Sequence, residues 1–184
     1  VDGENRNFYS ILASSGSLSM LKTVLKSDDR EYLRNFLTAK VIEKQCFPSV
    51  AIDNFELSDF ILTLLENHLT KEELKTFIKS CLESPHKFIK VIPLFERNFP
   101  NSEIAEILKK YKDSNNIPFI HKITRSNEYL TRFLLKWVEK VCLKDDLREI
   151  LTKRDDFNFL SLHVVLECDK TSDISFQVFN DVFS

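Results

Sequence analysis

Glycine is nearly missing from this chain: its 184 residues hold two. Loops that cradle phosphates or dinucleotides place glycine where the backbone meets the ligand. Neither G-x-G-x-x-G nor G-x-x-x-x-G-K-[ST] occurs, so no nucleotide or other cofactor is expected. Cysteine is sparse and scattered. Cys46, Cys81, Cys142 and Cys168 form no C-x-x-C pair. In a chain that is 43% hydrophobic, such spacing reads as reduced, buried thiols rather than a disulfide framework. That points to a cytoplasmic or nuclear protein. Charge of neither sign dominates: 26 basic residues face 28 acidic ones, a formal net charge of −2. The basic footprint of a nucleic-acid binder is therefore absent. No apolar run approaches the roughly 18 residues of a membrane span, and no charged-then-apolar leader opens the chain. Membrane insertion is not expected. The first residue is Val1 rather than Met, which reads as an excised or processed fragment of a longer chain.

What the sequence does contain is helical periodicity. Alternating strand patterns are almost absent, while apolar residues recur at steps of three and four. Leu18, Leu21 and Leu25 share one face, as do Leu130, Phe133, Leu134 and Trp137, and as do Ile104, Ile107, Leu108 and Tyr111. Thr70 and Glu73 stand three apart ahead of Leu74, Phe77, Ile78 and Cys81, the pattern of a capping box opening a helix. The acids of "DDREYLRNFL" and "KDDLREIL" sit where a helix dipole favours them. These patterns predict an all-α chain of about a dozen short helices in a single domain over residues 1–184.

Superimposed on the helices is a repeat. Asp113 and Asp155 are each followed by Asn at +3 (Asn116, Asn158) and His at +8 (His121, His163), and Asp2, Asn5 and Ser10 hold the same offsets near the start. Six residues further on stand Gly16, Asn127 and Asp169, types that tolerate positive φ or end helices. The implied unit is a tight turn, a short helix, a second turn and a longer helix. This arrangement resembles the ankyrin repeat, whose pattern runs D-x-x-G-x-T-P-L-H-x-A before a turn glycine. Asn5, Asn116 and Asn158 stand where that pattern has Gly, Ser10, His121 and His163 fall on its His, and Ala13 sits one place beyond its Ala. "IPLF" (Ile92 to Phe95) reads as a worn copy of T-P-L-H and "CFPS" (Cys46 to Ser49) as a fainter one. The capping Thr is replaced by Asn7, Pro118 and Leu160, and the spacing is irregular because charged helices such as "TKEELKTFIKSCL" and "LKDDLREILTKRD" are inserted between units. The resemblance implies a helical solenoid of about five degenerate ankyrin-like helix pairs with extra inserted helices.

Candidate chemistry reduces to structural roles. Of His68, His86, His121 and His163, none stands in an H-x-x-x-H or H-E-x-x-H arrangement, so no metal site is expected. His163 and Cys168 are offset around a helix too far to form a nucleophile–base pair. Under the repeat reading, His121 and His163 start first helices and bond the neighbouring turn. The pairs Asp28–Asp29, Glu72–Glu73 and Asp145–Asp146 open helices and Asp155–Asp156 opens a turn, so dipole and capping effects explain them. An enzyme on a helical fold would have to use His121, His163 and nearby acids, and no convergent set supports one.

Candidate binding residues are of two kinds. Arg132, Lys136 and Lys140 form a basic stripe along one helix, with Glu128 a turn ahead of Arg132. A solvated face explains the stripe; a patch for an acidic partner is the sharper alternative. Sixteen phenylalanines are mostly core material. Phe157 and Phe159 flank Asn158 in a turn, however, and in an ankyrin-like array turn tips and first helices line the binding face. Phe176, Phe179 and Phe183 crowd the last segment, where a terminal repeat is ordinarily polar, so packing or self-association through this end is expected. The expectation is a non-enzymatic module that binds a protein or peptide. The alternative is a regulatory or assembly segment of a larger polypeptide (toxin, channel or enzyme) that packs on neighbouring domains.

Overall fold

The computed structural model describes residues 30–38, 40–42, 45–46, 48 and 51–160, with isolated positions at 19, 22, 23, 177 and 180–183. The Asp2–Asn5–Ser10 copy of the repeat, Gly16, the Leu18–Leu25 stripe, the Asp28–Asp29 pair, His163, Cys168, Asp169, Phe176 and Phe179 lie outside the described residues. The described residues are mostly helical, and the chain divides into two compact units, residues 1–81 and 82–184.

In the first unit, helix α1 (Arg30–Thr38) is followed by a short antiparallel hairpin, β1 (Lys40–Ile42) and β2 (Gln45–Cys46), and then by helices α2 (Phe55–His68) and α3 (Lys71–Cys81). Leu33, Phe36 and Leu37 of α1 are buried while Tyr32, Arg34 and Asn35 are exposed, the one-sided burial that steps of three and four produce. The capping box that opens α3 is formed. The Thr70 amide and hydroxyl donate to Glu73 Oε2 at 2.9 and 2.7 Å, and the Glu73 amide donates back to Thr70 Oγ1 at 3.3 Å. The other Glu73 oxygen accepts from Arg34 Nε at 2.7 Å, so the cap of α3 also holds α1.

The second unit contains a long helix α4 (Pro85–Asn98), a shorter α5 (Asn101–Lys110), a one-and-a-half-turn helix α6 (Phe119–Thr124), a second long helix α7 (Glu128–Val141) and a shorter α8 (Lys144–Leu151). Both long helices have 14 residues and end in a two-residue extended corner. Phe99 (φ −132°, ψ 134°) and Pro100 (φ −67°, ψ 153°) make the first corner, Cys142 (φ −103°, ψ 142°) and Leu143 (φ −68°, ψ 159°) the second. The charged segment "LKDDLREILTKRD" thus has a counterpart in α5: long helix, corner, short helix and turn occur twice in the same order. The copies stack, α4 against α7 and α5 against α8.

Aromatic residues fill the seam between the copies. The Phe88 ring meets Phe119, Trp137 and Phe95 edge-on at centroid distances of 4.9, 5.2 and 6.1 Å. Such edge contacts add about 0.5–1.5 kcal/mol each to the burial itself. Polar links run along the rim of the seam. Glu96 Oε1 of α4 accepts from Trp137 Nε1 at 3.2 Å and from Lys140 Nζ at 2.9 Å, both on α7. Lys109 of α5 pairs with Glu106 on its own helix and with Asp146 and Glu149 of α8 at 2.9 and 3.6 Å. At the chain's end Val182 is buried and its carbonyl accepts from Arg148 Nε at 3.1 Å, while the Arg148 guanidinium lies 6.0 Å from the Phe183 ring centre.

Three sequence expectations need correction. Ile92–Phe95 does not open a helix as a copy of T-P-L-H would: it lies inside α4, which continues through Pro93. Ile92, Leu94 and Phe95 are buried with Phe88 and Val91. Burying side chains of this size contributes about 1.5–3 kcal/mol each, against about 3 kcal/mol for an interior proline, so burial keeps the helix whole. Asn127 does not take positive φ. It sits at φ −67°, ψ 159° as the N-cap of α7, and its side chain accepts from the Leu130 amide at 3.0 Å. Phe133 is exposed, whereas Leu130, Leu134 and Trp137 are buried; the stripe on α7 is narrower than its spacing implied.

Candidate functional site

The two Asp-x-x-Asn turns have one geometry. In the first, the Asp113 amide donates to the Ile117 carbonyl and the Asn116 amide to the Asp113 carbonyl, both at 3.0 Å. Asp113 Oδ1 accepts from the amides of Asn115 and Ile117 at 2.8 and 2.9 Å. In the second, the Asp155 amide donates to the Phe159 carbonyl at 3.2 Å and the Asn158 amide to the Asp155 carbonyl at 3.0 Å. Asp155 Oδ1 accepts from the amides of Phe157 and Phe159, both at 3.0 Å. Asn116 and Asn158 hold φ of 57° and 65°, the left-handed backbone this turn demands and asparagine tolerates better than most residues. One Asp oxygen closing two amides is the local bond that makes Asp a turn former.

The turns also touch each other. Asn116 Nδ2 donates to Asp156 Oδ2 at 2.9 Å, and Lys112 Nζ lies 3.7 Å from Asp156 Oδ1. Helix α6 sends one side chain to each turn. Lys122 Nζ reaches Asp113 Oδ2 at 2.6 Å and the Glu83 carbonyl at 3.0 Å. His121, wholly buried, places Nε2 3.1 Å from the Lys153 carbonyl and Nδ1 3.5 Å from Asp155 Oδ2. His121 therefore bonds the neighbouring turn segment, the role its place in the repeat implied.

These surroundings set protonation. Burial alone would raise the Asp113 carboxyl; the Lys122 ammonium and the amides of Ile117 and Asn115 outweigh it and hold the group below its usual range. For His121, burial lowers the imidazole, and the Lys153 carbonyl and the Asp155 charge oppose that without reversing it, while Arg125 adds to the lowering. The ring is neutral at neutral pH.

On this scaffold Phe157 is 81% exposed and Phe159 43% exposed. Their backbone is fixed from below by Asp155 and from the side by Arg154, whose Nη1 donates to the Asn158 carbonyl at 2.7 Å. An exposed aromatic on a backbone held this tightly loses little conformational entropy on contact. The basic stripe is differently placed. Arg132, Lys136 and Lys140 are all exposed on α7, but Arg132 pairs with Glu128 at 3.3 Å and Lys140 is the α7 cation bound to Glu96. Two of its three charges thus have carboxylate partners. Tyr129 and Phe133 of α7 and Leu143 at the corner are exposed as well, aromatic and apolar surface that helical periodicity had assigned to the core or left unremarked.

Among the described residues, no group of three or more His, Cys, Asp or Glu side chains is placed to hold a metal ion. Cys81 is buried. Cys142 is a free thiol, and burial, with help from Asp146, pushes it up to about 12, far from thiolate reactivity. No helix among the described residues is long and apolar enough to cross a membrane. The partners of His121 and Asn116, namely Asp155 and Asp156, had no sequence signal beyond the repeated Asp itself: stacking of two turns 42 residues apart makes them neighbours. Comparison of the chain with protein-family models, curated proteins and solved structures finds no match.

Proposed function

We propose that the chain is a non-enzymatic interaction module, an ankyrin-like helical array that captures a protein or peptide through its turn tips. The observation that carries this reading is Phe157, a large apolar side chain 81% exposed on a turn whose backbone is closed by four hydrogen bonds. Interface anchors are characteristically aromatic side chains set among supporting contacts. Support for the array comes from the duplicated turn, the paired left-handed asparagines and the stacked helix pairs. Arg132, Lys136 and Lys140 are proposed as a secondary contact region for acidic groups of the same partner.

The test is a comparative capture from native lysate with the wild type and the Phe157→Ala, Phe159→Ala double variant, after circular dichroism shows equal folding. The expected result is a polypeptide retained by the wild type and lost, by tenfold or more as about 1.4 kcal/mol per decade implies, with the variant. Equal capture by both proteins removes the turn from the binding surface.

A further inference from the structure

His121 and the second turn meet in a contact whose sign depends on one proton. The Lys153 carbonyl oxygen, 3.1 Å from Nε2, can only accept, so Nε2 carries hydrogen. In the neutral ring Nδ1 is then a bare lone pair. It is buried, has no hydrogen-bond partner among the described residues, and faces Asp155 Oδ2 at 3.5 Å. Two acceptors confront each other there. The other Asp155 oxygen holds the amides of Phe157 and Phe159, so a bond made to Asp155 acts directly on the backbone that displays both rings.

We propose that His121 is a proton-operated latch on the second turn. With the ring neutral, the turn stands beside α6 without a bond from Nδ1. One proton taken from solvent onto Nδ1 creates a donor to Asp155 Oδ2, and an imidazolium–carboxylate bond then ties the turn to α6. Asp155 Oδ2 enters only as the acceptor of that bond. The charged groups acting on the ring are Asp155 from the turn, which favours closure, and Arg125 at the end of α6, which opposes it. Lys153 presents its carbonyl, and the Lys122 ammonium of α6 is occupied by Asp113 and the Glu83 carbonyl. Burial places the transition below the ordinary imidazole range, so the latch is open at neutral pH and closes on acidification. This inference stands whether or not the phenylalanines bind a partner.

The experiment follows the His121 ring by NMR titration together with hydrogen exchange of the Phe157 and Phe159 amides, corrected for the intrinsic pH dependence of exchange. In the wild type, protection of both amides is expected to rise about threefold or more as His121 takes up its proton. Asp155→Asn keeps an oxygen for the two amides and turns an N–H toward Nδ1. It is expected to hold the turn at every pH and to lower the proton affinity of His121 by about tenfold or more. His121→Gln retains a donor for Lys153 and has no titrating group, so protection is expected to be flat across the same range. Protection that does not change in the wild type overturns the latch. So does a pH response that survives in His121→Gln, a comparison that needs no Asp155 variant to fold.

Discussion

A left-handed backbone costs a residue with a Cβ about 1–2 kcal/mol, and Asn116 and Asn158 both occupy it. The two are not equivalent, because Asn116 also donates to Asp156, whereas the Asn158 side chain makes no hydrogen bond among the described residues. Asn158 is therefore the cleaner site at which to measure the backbone term. Asn158→Ala is expected to destabilise the second unit by about 1 kcal/mol, and Asn158→Gly to leave it unchanged or slightly more stable. Urea unfolding followed at Trp137, the chain's one tryptophan, reads both. An alanine variant as stable as the wild type would mean that the turn relaxes out of the left-handed region at no cost. The same reasoning explains why so glycine-poor a chain can make tight corners at all: Asp closes the turn with one carboxylate oxygen, and Asn takes the conformation glycine ordinarily supplies.

At the scale of elements, Pro93 is a conflict that packing settles. Its ring removes the amide that would bond the Ile89 carbonyl, yet α4 is continuous from Pro85 to Asn98. Pro93 is on the exposed face of the helix, where water can satisfy the orphaned carbonyl. Pro93→Ala should restore the helical bond without opening a cavity, and a stabilisation of about 1–3 kcal/mol is expected, checked by the same urea transition. A loss of stability would show that the helix around Pro93 depends on the ring. This element also marks where sequence reasoning stops. Proline before Leu94 and Phe95 reads locally as the start of a helix, the place that T-P-L-H holds, and only the burial of Phe88, Val91, Ile92, Leu94 and Phe95, with Phe88 packed on rings more than twenty residues away, sets it inside one. By contrast, the capping box at Thr70 and the Asp-x-x-Asn turns were legible because their bonds close within four residues. Phe133 lies between these cases: its spacing marks helix correctly, but which flank of the stripe is covered depends on how α4 and α5 pack on α7. The exposed phenylalanines of the second turn were legible as turn residues, while the His121–Asp155 contact beneath them was not, since it joins segments 34 residues apart in sequence.

For the whole molecule, acid separates the two units. His121 lies in the second unit and its imidazole is lowered by burial. The unfolded chain therefore binds a proton near the ordinary value of about 6.5 that the folded chain refuses, and stability falls as pH drops below that value. The imidazolium bond to Asp155 limits this loss without cancelling it, because the folded-state affinity stays below the unfolded one. Asp113, in the same unit, is lowered once its ion pair and amides outweigh burial; its contribution is present above about pH 4 and vanishes only as pH falls through the depressed folded value. In the first unit the corresponding group is Glu73. Burial would raise its carboxyl, but the Thr70 amide and hydroxyl and the Arg34 guanidinium prevail and lower it, so that contribution too persists until pH falls below the ordinary carboxylate range. Among these groups only His121 acts between about pH 6.5 and 4.5. Hydrogen exchange in α7 is therefore expected to accelerate across that window before exchange in α3 does, and His121→Gln to remove most of the early acceleration. If α3 and α7 lose protection together, or the glutamine variant keeps the wild-type profile, then the stability of the second unit is not governed by the buried imidazole, and other groups set its response to acid.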